Sequence, residues 1–268
     1  MVEQRCYRPP MNSIQLGLKG LRVLNTRPWQ QGNSLTQSIQ AAGGVCLELP
    51  ALCIEPTTID WLKHMPDLTR VNQAIFISTN AVHFYFDTLE QQRITWPQTI
   101  DVIAIGKASA LALAEYDIKI SQLPTAADSE NLLLLETLQQ VKDKIVLLIK
   151  GEGGRPIIAD TLLTRGALLT SLSVYRRGLP EIPATYINSI WQDDQVDIIL
   201  FTSQQAMHNL FILFGDALPW LCSKPCVVIS KRLAEEASSL GMQTVLISRY
   251  DTLLNSLYHY NQGLIYGN

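Results

Sequence analysis

Two stretches of the chain, IFISTNAVHFYF (75–86) and ILFTSQQAMHNLF (199–211), end a run of apolar residues on hydroxyl and amide side chains. They are Ser78, Thr79 and Asn80 in the first and Thr202, Ser203 and Gln204 in the second. Each cluster stands where a strand-like run gives way to a helical period. A helix start carries unpaired N–H groups and a partial positive charge, so it receives anions without a cationic side chain. Ser, Thr and Asn also cap helices, and either cluster alone fits that structural role. The other strand-to-helix junctions add cations: Arg27 after VLNT, Lys107 after AIG, Lys150 with Gly151 and Arg155 in KGEGGR, and Lys231 after VIS, where Ser230 precedes it. Amides, hydroxyls and cations at six junctions, with Glu152 the acidic exception, suit a polyanionic small molecule.

Other chemistries lack their residues. GEGGRP has Pro156 where a dinucleotide fingerprint needs glycine, and no GxxxxGK[ST] loop occurs. A response-regulator receiver would need acidic residues where this chain has Asn25, Thr26 and Arg27. His64, His83, His208 and His259 are scattered, with no HExxH and no Ser/His/Asp spacing. Five cysteines, Cys6, Cys46, Cys53, Cys222 and Cys226, form no paired CxxC set, as expected of reduced thiols in a cytoplasm. Tyr175 lies in an extended stretch that reads as a crossing between domains; such a tyrosine either packs or projects towards the cleft.

These residues are positioned by alternating units: LRVLNT before GNSLTQSIQAAGG, AIFIST before NAVHFYFDTLE, DVIAIG before KASALALAEY, KIVLLIK before RPIIADTLLTRG, DIILFTS before QQAMHNLFILFG, and CVVIS before KRLAEEASSLG. Strand and helix alternating in this way predict an α/β fold with parallel sheets. The halves also repeat. Ser78, Ala81 and His83 recur as Ser203, Ala206 and His208 at an offset of 125, Gly43 as Gly166 at 123, and Ile105 and Lys107 as Ile229 and Lys231 at 124.

In each half an extended stretch running into proline follows the first helix, LELPALCIEP and LTSLSVYRRGLP, and reads as a crossing between domains. The expectation is a lead-in at 1–20, a discontinuous domain of 21–52 plus 177–268, a second domain at 56–172, linkers near 50–56 and 172–178, and a cleft between the domains.

The chain has 268 residues, 47% hydrophobic and 17% charged, with formal net charge −3. That length favours two domains, and the charge gives no basic excess for nucleic acid. No apolar run of about twenty residues spans a membrane, and the start has no signal-type apolar core; a cytoplasmic protein is expected. Met11 is an alternative start.

Taken in order, VLNTRP, AGGVCLELPALCIEP, IFISTNAVHFYF, VIAIGKASA, KGEGGRPIIADTLLTRGALLTSLSVYRR, ILFTSQQAMHNLF and VVISKRLAEEASSLG resemble the uroporphyrinogen-III synthase family over residues 21–262. The resemblance implies two flavodoxin-like, doubly wound domains joined by a two-stranded linker, a monomer, and no cofactor or metal. The implied substrate is hydroxymethylbilane with its eight carboxylates, and the implied partner is the upstream hydroxymethylbilane synthase in transient contact. Loss of the ring A hydroxyl, attack by the substituted carbon of ring D and rearrangement would give the type III ring. Tyr175 matches the family tyrosine and would assist departure of the hydroxyl by hydrogen bonding. Ser109 stands where the family commonly has threonine. Ser230 and Leu233 depart from its glycine and threonine, leaving the Lys231 and Arg232 amides to serve. The competing expectation is a non-catalytic two-domain module for a tetrapyrrole or other anion; a hinged sugar- or nucleotide-binding protein is the third.

Overall fold

The computed structural model describes residues 17–263, so most of the expected lead-in, with Cys6 and Met11, lies outside the described residues. The chain runs β1 (Arg22–Asn25), α1 (Trp29–Ala41), β2 (Val45–Glu48), β3 (Cys53–Pro56), β4 (Gln73–Phe76), α2 (Thr79–Gln91), β5 (Asp101–Ala104) and α3 (Lys107–Glu115). There follow α4 (Ser129–Leu133), α5 (Glu136–Gln139), β6 (Ile145–Gly151), α6 (Ile157–Thr164), β7 (Leu168–Gly178), α7 (Ala184–Gln192), β8 (Ile198–Phe201) and α8 (Gln204–Phe214). Last come α9 (Leu218–Ser223), β9 (Cys226–Val228), α10 (Lys231–Ser239), β10 (Val245–Ile247) and α11 (Leu253–Asn261).

The contacts divide the chain into two compact units: the described residues up to Cys53 with those from Leu179 onward, and Ile54–Gly178. In the discontinuous unit the sheet order is β10-β9-β8-β1-β2, and every neighbouring pair is parallel. A parallel sheet covered on both faces needs strands that are apolar throughout, and Ile198–Phe201 is buried at every position. Alternate residues serve opposite cores. Ile198 and Leu200 pack with Leu35 and Ile39 of α1 and Leu257 of α11, whereas Ile199 and Phe201 pack with Ile187, Leu210 and Leu233 from α7, α8 and α10.

In the continuous unit the order is β3-β7-β6-β4-β5, and the pairs β7–β6, β6–β4 and β4–β5 are parallel. Phe76, Leu147 and Ile149 face Tyr85 and Leu113 of α2 and α3; Ile75, Val146 and Leu148 face Leu132, Leu138 and Leu162 of α4, α5 and α6.

The repeat offset carries β1, β2, β4 and β5 onto β6, β7, β8 and β9, and the run β5-β4-β6-β7 has the same neighbours as β9-β8-β1-β2. Gly43 and Gly166 each turn a helix into the following strand at φ of 78° and 84°, a left-handed conformation glycine enters without strain. Residues 172–178 form the last part of an eleven-residue β7 within the second sheet, and the division between the units falls right after them, between Gly178 and Leu179.

Candidate active site

In an open α/β sheet, ligands settle beyond the carboxyl ends of the strands where the winding changes direction. Here that point lies between β4 and β6 in the continuous unit and between β1 and β8 in the discontinuous one.

At the end of β4, Ser78 caps α2 with extended backbone, and its Oγ accepts from Ala81 N at 3.1 Å. Thr79 and Asn80, both half-buried, supply the other first-turn N–H groups. Ser78 Oγ also donates to Tyr175 Oη at 3.2 Å. What brings the tyrosine there is a bulge: Lys150 pairs with Ser173, but Gly151 pairs with Tyr175. Strict alternation would turn Tyr175 away from the face used by Leu172 and Val174. The extra residue re-aims it, so all three join one core.

Tyr175 is therefore 3% exposed, stacked on Phe84 at 5.9 Å. The ring is thus packed, and its hydroxyl reaches a helix start. Gly151 makes room, because a Cβ there would lie 2.5 Å from Tyr175 Cζ. Gly151, expected as a substrate contact, also has this packing task. Arg177 Nη2 donates to the same Tyr175 Oη at 3.3 Å, with the guanidinium 5.7 Å from the ring centre.

The remaining residues of this unit divide. Lys107 opens α3 and is exposed, Lys150 is half-buried, and neither forms a salt bridge among the described residues. Gly106 caps α3 where a Cβ would meet Ala127 Cβ at 2.7 Å. Ser109, expected to offer its hydroxyl, is 3% exposed in the first turn of α3. Arg155 is not a free cation: it grips Glu130 at 2.7 and 3.0 Å, and this pairing holds the Glu130 carboxyl below its usual range.

At the end of β1, buried Thr26 donates to Leu200 O of β8 at 2.7 Å, tying the two strands at their switch point. Asn25 Oδ1 accepts from Arg27 N at 3.2 Å and shapes the turn that presents Arg27. The Arg27 guanidinium lies 4.8 Å from the centre of the Tyr250 ring, and its Nε is buried without a hydrogen-bond partner. Ser203 caps α8 through Ala206 N at 3.1 Å, beside half-buried Thr202. Gln204 donates to Glu236 at 3.0 Å, and that carboxylate also meets His208 at 2.6 Å; His208 thus links α8 to α10. Ser230, unlike Gly106 at the equivalent place, caps its helix by side chain, accepting from Leu233 N at 3.3 Å. Lys231 follows, exposed.

So Ser78, Gly151 and Tyr175 come together through direct packing, and Arg27 comes to the β1–β8 end. Sequence reasoning missed Arg177 and Tyr250. The first hides in an Arg-Arg pair that resembles a solvated edge; the second lies in a turn with no repeat partner. Among the described residues no three His, Cys, Asp or Glu side chains gather as a metal set, and Cys46, Cys222 and Cys226 remain thiols.

The family model described as "Uroporphyrinogen-III synthase HemD" matches residues 33–253. The uroporphyrinogen-III synthase of Escherichia coli K12 is 30% identical over 250 residues, covering 88% of this chain and 100% of that protein. The Salmonella typhimurium enzyme of the same name is 29% identical over 252 residues, with 88% and 100% covered. Among solved structures, uroporphyrinogen-III synthetase from Helicobacter pylori superposes with TM-score 0.60 at 18% identity, over 91% of this chain and 100% of that one. A mutant uroporphyrinogen III synthase from Thermus thermophilus gives 0.58 at 16%, over 91% and 98%; at these identities the two likenesses speak for the fold alone.

Proposed function

The chain belongs to the uroporphyrinogen-III synthase family, and we propose that it carries out that reaction through Tyr175 and the helix starts at the strand ends of each unit. The activity is a lyase step of tetrapyrrole (haem) biosynthesis: hydroxymethylbilane is cyclised with loss of water and inversion of ring D. The bilane left alone closes at the free carbon and gives the type I ring. The catalyst must therefore hold a flexible chain so that the substituted carbon meets the electrophile, an orientation effect worth several kcal/mol. Proton assistance is the smaller contribution, about 10² to 10⁴ in rate.

The observation that carries the assignment of roles is the Tyr175 hydroxyl set beside Ser78 at the start of α2. A phenol there can hydrogen-bond the departing ring A hydroxyl while the Thr79 and Asn80 amides receive a carboxylate. We assign further carboxylates of the bilane to Lys107, Lys150 and Lys231, to Arg27, and to the starts of α8 and α10 at Thr202, Ser203, Gln204 and Ser230.

The wider reading follows the same lines: two flavodoxin-like domains joined by a two-stranded linker, a cytoplasmic monomer, and transient contact with the synthase that supplies the bilane. Among the described residues no helix is long and apolar enough to cross a membrane. Supplying bilane and scoring type III against type I product tests the reading. Type III is expected from the wild-type chain, and Tyr175→Phe should slow its formation about 10²- to 10⁴-fold without unfolding. A type I-only outcome would leave a binding module, and wild-type turnover by Tyr175→Phe would remove the role given to Tyr175.

A further inference from the structure

We propose that Arg177 is a positioning residue for the reaction: it fixes the direction in which Tyr175 offers its proton and faces the charge that the proton leaves behind. The inference rests on the reading of Tyr175 given above and adds a residue to it. A phenol oxygen has two acceptor sites and one hydrogen. Both acceptor sites of Tyr175 Oη are taken by donors, Ser78 Oγ at 3.2 Å and Arg177 Nη2 at 3.3 Å. The hydrogen then has no partner in that group and is directed outward to a third.

The ring cannot swing away to change this arrangement. It is stacked on Phe84 and laid over the backbone of Gly151, where a Cβ would collide with it. Arg177 is exposed, whereas its neighbour Arg176 is committed to Glu55 at 3.2 Å; the two arginines of the pair therefore have different tasks.

In the step itself the ring A CH2–OH bond breaks and its electron pair leaves on oxygen. The pyrrole nitrogen supplies the pair that forms the new exocyclic double bond. The hydrogen of Tyr175 makes the leaving oxygen water, and the negative charge left on Oη lies against the Arg177 guanidinium. The proton that the cyclised product later releases restores the phenol. Guanidinium is permanently charged and donates in a fixed plane, so it both orients and stabilises.

The test compares Arg177→Met and Arg177→Lys, each alone and combined with Tyr175→Phe. Arg177→Met is expected to lower kcat about tenfold with KM changed less than about threefold, and Arg177→Lys to recover part of the loss. With Tyr175→Phe already present, Arg177→Met should cost little more, because a group acting through the phenol has nothing left to act on. Losses that multiply in the double variant, or wild-type kcat for Arg177→Met, would overturn the proposal. A second measurement separates this from the reading of function: the ¹³Cζ resonance of Tyr175, identified by its loss in Tyr175→Phe, should move in Arg177→Met whether or not bilane is turned over. An unmoved resonance also defeats the proposal. Type I-only product from the wild-type chain, with the resonance moving as expected, defeats the assigned catalysis instead.

Discussion

Gly151 shows how much one hydrogen atom can decide. The Tyr175 ring occupies the space a side chain would need, so Gly151→Ala must push the ring and carry Oη off Ser78. Overpacking of this kind costs about 1–3 kcal/mol of stability, and a misplaced acid costs rate. We expect kcat about 10- to 100-fold lower in Gly151→Ala, with a native far-ultraviolet spectrum, measured by type III formation. The cations make the opposite point. Arg155 spends its fork on Glu130 in an exposed pair, and surface pairs contribute about 0–1 kcal/mol. Arg155→Ala should leave KM within about twofold, whereas Lys231→Ala should raise it about two- to fivefold through one weakened carboxylate contact at an exposed site. Michaelis constants for the three chains, measured at one ionic strength, decide between them.

At the level of elements, three helices, one in the continuous unit and two in the discontinuous one, begin with the same device, a serine after a strand whose hydroxyl accepts from the amide three residues on: Ser78, Ser203 and Ser230. Replacing any of them by alanine should cost about 1 kcal/mol, measured by urea unfolding. Ser78→Ala alone should also lower kcat, because only Ser78 holds the phenol as well as the helix. This shared device is the part of the molecule most legible in the sequence: strand ends, helix starts and the offset between halves follow from local period and capping chemistry. The short α4, α5 and α9 were not legible, nor β10, three residues long with one of them buried. Their stability comes from packing rather than pattern. The bulge opposite Gly151 was equally hidden. Nothing in SLSVYRRG marks where β7 gains a residue against β6, because that register is a property of the pair.

At the scale of the whole molecule, the two units differ in how they are held. The continuous unit closes over consecutive chain, whereas the discontinuous one must join segments far apart in sequence, and its junction is partly electrostatic. Arg22 at the start of β1 and Asp197 just before β8 share several hydrogen bonds, the shortest 2.5 Å, and Asp197 also accepts from Arg22 N at 2.8 Å. These donors, the arginine side chain first, hold the Asp197 carboxyl below its usual range. A carboxylate depressed in the folded state stabilises fully above its unfolded pKa of about 4, and the contribution disappears as pH falls through the lower folded value. With both side chains about a third exposed, 37% and 34%, screening limits it to about 1 kcal/mol. In the continuous unit the carboxyls held low, Asp60, Asp67, Asp128 and Glu130, are surface groups paired within a few residues or with an exposed arginine, so protonating them opens no long-range junction. Acid should therefore loosen the discontinuous unit first. Below about pH 4 the fluorescence of Trp191 and Trp220 should change before that of Trp61 and Trp96, resolved in chains keeping one pair of tryptophans at a time. Asp197→Asn should weaken the discontinuous unit by about 1 kcal/mol at pH 7 and flatten its loss of stability between about pH 5 and 3. Simultaneous acid transitions in both units, or an Asp197→Asn chain as acid-sensitive as the original, would mean that apolar packing across β1 and β8 holds the segments together and the ion pair adds nothing.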